Sequence, residues 1–190
     1  MRVRTLVPVA GLMLVPLVVP APATAATSPP PDQLIFTGSV TEQTFDTDGA
    51  LTATRIYAPM DSGSGGSSST SGCRKVTVSN RAHTLLGFTA FRYNTWTRWC
   101  WNGYKHKVTQ PTNGWRITDV DPEYIWRGQV NSDLHWYAFR SGWPHSGWYH
   151  YRQGHFENCV LHVGCVGNIY PENTLRVHSN GTWTWSTTGA

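Results

Sequence analysis

From Ser62 to Gly72 the chain reads SGSGGSSSTSG, eleven consecutive residues with no apolar, aromatic or charged side chain. Such a run has nothing to bury, so it predicts a flexible tether with a root-mean-square span of about 18 Å between two bodies. The flanks differ in kind. Residues 26–72 hold Asp32, Glu42, Asp46, Asp48 and Asp61 against Arg55 alone, whereas 73–190 hold twelve Lys/Arg, six Asp/Glu and every Cys, Trp and His. The expected organisation is an acidic strand-forming arm at 26–60, a Ser/Gly linker at 61–72 and a basic, tryptophan-rich domain at 73–190.

Arg2 and Arg4 precede the uncharged stretch Leu6 to Val19, and Ala23-Thr24-Ala25 places small residues where a signal peptidase reads. Residues 1–25 are therefore expected to be a signal peptide and the protein to be secreted. No later run approaches the ~20 apolar residues of a transmembrane helix, so no membrane anchor is expected. Export brings an oxidising environment, in which Cys73, Cys100, Cys159 and Cys165 are expected to form two disulfides. The short spacing favours Cys159 with Cys165, leaving Cys73 with Cys100. Cys159-x-x-His162-x-x-Cys165 also gathers soft ligands, but the second clip of a structural zinc site is missing, so neither metal nor cofactor is expected. The cations of the domain are scattered singly among aromatics, which argues against a phosphate-tracking stripe and hence against nucleic acid.

From Lys75 onward β-branched and aromatic residues cluster in short runs: Lys75–Ser79, Leu85–Tyr93, Trp96–Trp101, Tyr104–Gln110, Trp115–Val120, Tyr124–Val130, Leu134–Arg140, Trp148–Phe156, Thr174–Ser179 and Thr182–Thr187. Asn102-Gly103, Asn113-Gly114 and Asn180-Gly181 fall between them, and Asn-Gly suits tight hairpin turns because both residues tolerate positive φ. The pattern predicts an all-β domain, an antiparallel sandwich or flattened barrel, with hairpins around Asn102-Gly103 and Asn180-Gly181. Trp99 with Trp101 and Trp183 with Trp185 share strand faces; such pairs either fill a core or stack on sugars, and core packing is the default. Ser141-Gly142-Trp143-Pro144-His145 is followed by the near-copy Ser146-Gly147-Trp148-Tyr149-His150. It reads as a loop running into a strand, with Trp143, His145 and Trp148 as a candidate contact surface.

No H-E-x-x-H, G-x-S-x-G or phosphate-binding glycine loop occurs. Asp119, Asp121 and Glu123 alternate and could gather three carboxylates for calcium or for a glycosidase, but Asp-Pro at their centre reads as a solvated turn. No catalytic residue is therefore assigned. In the arm, Gln33–Val40 and Leu51–Ala58 read as two strands around Asp48-Gly49, with Leu34, Phe36, Ile56 and Tyr57 as apolar teeth. A lone hairpin is marginal in water and must pack on its own head or on a partner. The tether favours the partner, a larger extracellular protein held through residues 33–58 by strand addition.

The stretches TLLGFTAFRYNTWTRWCWNG (84–103) and GHFENCVLHVGCVGNIYP (154–171), with Asn180-Gly181-Thr182, resemble a group of uncharacterised exported β-proteins of mycelial Gram-positive bacteria. The resemblance covers most of 73–190 and implies a disulfide-bonded sandwich. The layout of signal, strand-forming arm, Ser/Gly tether and β-head is similar to the small adaptor subunit of secreted umbrella toxin particles. That likeness implies an arm docked on a large toxin chain and a head holding a second component. Taken together, the expected function is a non-enzymatic adaptor; the alternatives are a glycan- or cell-wall-binding module using aromatic platforms and a secreted hydrolase.

Overall fold

The computed structural model describes residues 33–46, 48–160 and 164–189. The expected signal peptide and His162 lie outside them. Among the described residues there are eleven strands: β1 (Ile35–Phe45), β2 (Leu51–Tyr57), β3 (Ser62–Gly65), β4 (Ser71–His83), β5 (Thr89–Asn102), β6 (Lys107–Thr118), β7 (Tyr124–Tyr137), β8 (Gly147–Val160), β9 (Gly164–Ile169), β10 (Pro171–His178) and β11 (Trp183–Gly189). They form two antiparallel sheets, β2-β1-β4-β5-β6 and β3-β11-β10-β8-β7, with β9 continuing the line of β10 beside β8. No α-helix occurs among the described residues, and the sandwich class expected from the sequence is the one observed.

The strands are longer than the sequence runs suggest. Tyr124–Val130 and Leu134–Arg140 fall largely within one strand, β7, and Trp115–Val120 belongs mostly to the strand that begins at Lys107. The hairpins at Asn102-Gly103 and Asn180-Gly181 are both present. Asn113-Gly114 is no turn: it lies inside β6, where Gly114 pairs with Trp96 and a Cβ would meet that indole at 2.7 Å. Both expected disulfides are formed, Cys73–Cys100 across β4 and β5 and Cys159–Cys165 across β8 and β9. They suit an oxidising, non-cytosolic environment.

Alternation sends every second residue inward and builds two apolar clusters. One gathers Val40, Val76, Val78, Trp99, Trp101, Leu175, Val177, Trp183 and Trp185; the other gathers Leu34, Ala82, Phe91, Tyr93, Tyr124, Phe156 and Ile169. Both same-face tryptophan pairs are thus core. On β4 and β10 the clusters are separated by buried asparagines that bind the opposite sheet. Asn80 donates to the carbonyls of Glu172 (3.1 Å) and Thr188 (2.7 Å), and Asn173 donates to those of Val78 (3.3 Å) and Tyr93 (3.1 Å). This reciprocal pairing joins the side-chain NH2 donors of each sheet to backbone carbonyls of the other and fixes how one sheet sits on the other.

The division into arm, linker and head does not survive in the structure. The hairpin of β1 and β2 forms as expected, but β1 lies against β4 in unbroken register from Ile35↔His83 to Phe45↔Cys73. Leu34 and Phe36 enter the second cluster, and Tyr57 packs edge-on against Trp183 with ring centroids 5.2 Å apart. Of the four apolar teeth only Ile56 stands free, at 79% exposure. Nor is the Ser/Gly run a tether. Its first four residues are β3, where Gly63 pairs with Trp185 and Gly65 with Trp183.

The physical reason is volume. A Cβ on Gly63 would meet the Trp185 Nε1 at 2.8 Å, and one on Gly65 would collide with the Trp183 ring. The strand is side-chain-poor because two indoles fill the space beneath it. A polar network completes the join: Glu42 and Arg74 form a buried ion pair at 2.9 Å, Tyr57 donates to Glu42 at 2.6 Å, and Arg74 reaches Ser67 Oγ (3.1 Å) and the carbonyl of Gly181. Gly65→Val is therefore expected to destabilise the protein by about 1–3 kcal/mol through overpacking, whereas an unstructured linker would be indifferent. Urea denaturation of the two proteins would decide.

Candidate functional site

The hairpin turn 103–106, the loop 138–146, the turn 179–182 and the segment 66–70 meet at one end of the sandwich, where they border a hollow of about 380 Å³. Its walls include Ser68, Ser69, Thr70, Tyr104, His106, Arg140, Trp143 and Asn180. Loops held by a rigid scaffold are the usual place for recognition, and these loops are held firmly. Buried Ser146 donates its hydroxyl to the Trp143 carbonyl (2.6 Å) and accepts from the Phe139 amide (2.8 Å), closing the 138–146 loop from within. The Val108 amide donates to the His145 carbonyl (3.1 Å), the Ser179 amide to Ser146 (2.8 Å) and the Ser69 amide to Asn180 (3.0 Å), so each loop is tied to another.

Within this frame Trp143 lies flat against His106, with centroids 3.5 Å apart and planes 4° from parallel, and the Arg140 guanidinium lies 5.1 Å from the Trp143 ring centre. His106 and His145 both take positive φ (49° and 61°), a left-handed conformation uncommon outside glycine, His106 just before β6 and His145 two residues before β8. Tyr104 projects almost freely, at 80% exposure. The hollow thus combines flat aromatic surface, one guanidinium and several small hydroxyls. Such walls can stack and hydrogen-bond; their lining holds no carboxylate.

Behind this end lies His178, stacked on Phe139 (4.0 Å) and sharing a 2.7 Å hydrogen bond with the Tyr137 hydroxyl. Burial, and then the Arg176 charge, push the His178 imidazole down to about 4, so it is neutral near pH 7; burial pushes Tyr137 up to about 12.

Of the residues expected to form a contact surface, Trp143 belongs to the hollow and His145 stands beside it, edge-on to Trp136 at 5.4 Å. Trp148 does not join them: it faces inward and packs on the first core cluster and on Trp136. The sequence reading missed Tyr104, His106, Arg140 and Asn180, because it assigned most of them to strands or turns and could not see which loops meet.

The acidic triplet does not converge. Asp119 is drawn to Arg92 at 2.8 Å, while Asp121 Oδ1 accepts from the Glu123 amide at 3.0 Å and holds the turn. The Cys159 and Cys165 sulfurs lie near Glu157, but both are spent in a disulfide and are no longer thiolate ligands. A second hollow, about 390 Å³, opens on the outer face of the β7-β8-β10 sheet between Asp133, His135, Tyr137, Tyr149 and Arg176. There the polar groups have partners already: Asp133 holds His135 at 2.8 Å and Arg176 lies over Tyr149.

No protein family matches this chain, nor does any curated protein or solved structure. Function is therefore argued from the geometry. No helix among the described residues is long and apolar enough to cross a membrane.

Proposed function

We propose that this chain is a secreted, non-enzymatic binding module that recognises a hydroxyl-rich ligand of the glycan class at the loop end. The observation that carries this reading is the grouping of Tyr104, His106, Trp143 and Arg140 with Ser68, Ser69, Thr70 and Asn180 around one preorganised hollow. Sugars present apolar ring faces and equatorial hydroxyls, and sites that bind them pair flat aromatics with a few fixed polar groups. The cross-bracing of the loops lowers the ordering cost on binding.

A second reading keeps the adaptor role but moves it. β2 is an edge strand, exposed along Leu51–Ile56, with Leu51 53% and Ile56 79% exposed. An open, weakly charged edge favours strand addition by a larger extracellular protein. Here the partner would add to this sandwich, in place of this chain's arm adding to the partner.

Pull-down on purified cell-wall polysaccharide, followed by capture of extracellular proteins, separates the readings. We expect Tyr104→Ala and Arg140→Ala each to weaken polysaccharide binding about tenfold with thermal stability unchanged, since central aromatic and Arg contacts dominate interfaces. Ile56→Lys should leave polysaccharide binding intact. Undiminished binding by both loop variants would reject the loop-end site, and loss of a protein partner in Ile56→Lys alone would favour the edge-strand adaptor.

A further inference from the structure

The loop-end hollow is one-sided in charge. The segments that border it, 66–70, 103–106, 138–146 and 179–182, carry Lys105 and Arg140, with Lys107 opening β6 directly after the turn, and contain no Asp or Glu. Arg74 reaches Ser67, but its charge is matched by Glu42. Asp46 and Asp48 belong to the turn between β1 and β2, and β4 stands between that hairpin and β5. Lys105, Lys107 and Arg140 are exposed, and none has an ion-pair partner among the described residues. An anion arriving at this end meets no carboxylate on the walls.

Arg140 is the cation that the fold positions. Its guanidinium lies over the Trp143 ring at 5.1 Å and over the Phe139 ring at 5.7 Å, and each ring is backed in turn, Trp143 by His106 at 3.5 Å and Phe139 by buried His178 at 4.0 Å. These contacts engage its flat face. Its N–H groups donate to no described residue, so the in-plane fork that matches a carboxylate or phosphate is uncommitted. Beside it, Trp143 and the exposed Tyr104 offer ring surface in the same hollow.

We propose that the ligand of the loop end is an acidic sugar and that Arg140 selects it by binding its carboxylate or phosphate. This rests on the glycan reading above and adds charge to it. The sugar ring covers the aromatic surface while its oxyanion meets the guanidinium edge, and Lys105 and Lys107 favour the approach of anions from outside. A neutral glycan would use the rings and hydroxyls and leave the fork empty.

The test is a titration of the folded, disulfide-bonded protein with trigalacturonate and with its methyl ester, which keeps the rings and removes the charge. D-Glucose 6-phosphate against D-glucose is the phosphate arm, so the arm that shows a preference tells carboxylate from phosphate. Amide shifts at Tyr104, His106 and Trp143 report binding at the loop end. In at least one arm the acidic ligand is expected to bind about tenfold more tightly than its neutral counterpart, with the preference lost in Arg140→Gln. It should persist in Arg176→Gln, which removes the same charge from a guanidinium stacked on Tyr149 on the outer sheet face. Equal binding of charged and neutral ligands with shifts at the loop end would overturn this inference and leave the glycan reading standing. No saturable shift with any of the four would overturn both. An equal loss in Arg176→Gln, or tighter binding of a single-stranded oligonucleotide than of either acidic sugar, would also reject the proposal.

Discussion

A chain beginning at Ser71, without the hairpin and the Ser/Gly strand, is expected to lose its cooperative melt. Removing Glu42 leaves Arg74 buried without its ion-pair partner, a deficit of about 3–5 kcal/mol. Leu34 and Val40 leave their clusters, and buried apolar side chains of this kind contribute about 1.5–3 kcal/mol each. The whole edge of β4 opposite Ile35–Phe45 is also laid bare, while Trp183 and Trp185 lose the cover of β3. These losses together are comparable to the roughly 5–15 kcal/mol that ordinarily separates native from unfolded domains. Near-ultraviolet dichroism during a thermal scan of the truncated and longer chains gives the answer, and a retained sharp transition would restore the detached arm.

Acid should weaken the fold well before carboxylates titrate. His150 is buried between Arg152, which donates to its Nε2, and Thr97, so protonation would put two donors face to face. Burial, and then Arg152, push it down to about 3; His178 is pushed down to about 4 for the same kind of reason. Unfolded histidine binds its proton near pH 6.5, so between that value and the native pKa the unfolded state takes up more protons and is favoured as pH falls. The stability is present in full above about pH 6.5 and is lost progressively below it. At 1.36 kcal/mol per pH unit, each histidine costs about 2 kcal/mol between pH 6.5 and pH 5, or about 4 kcal/mol together. Urea midpoints at pH 7 and pH 5 should differ accordingly, and His150→Gln should flatten part of the slope. A midpoint independent of pH over this range would contradict the burial of both rings.

Strand-forming character, the disulfide pairing and the inward tryptophan pairs were legible because each follows from local chemistry: alternation, spacing and side-chain size. What misled was Ser62–Gly72. Composition says that such a run cannot bury anything, yet a strand may be needed only for its backbone, and Gly63 and Gly65 are small because Trp185 and Trp183 lie across from them. That reason sits more than a hundred residues away in the chain. Glu42 counted only as one of the arm's acidic residues for the same cause, since its partner Arg74 lies beyond the supposed tether. The doubled SGWPH and SGWYH segments carry the same lesson. The first copy is a turn with exposed His145, whereas the second enters β8 and buries Ser146 and His150. Local sequence could flag Trp143, but the meeting of Tyr104, His106, Arg140 and Asn180 is a product of the two-sheet topology.

Mapping where a soluble wall-derived oligosaccharide touches the labelled protein, by amide and side-chain chemical-shift changes, tests the proposed function most directly. Saturable shifts at Tyr104, His106, Arg140 and Trp143 are expected, with little change along Leu51–Tyr57. Shifts confined to the β2 edge, or no saturable shift with any wall-derived oligosaccharide, would contradict it.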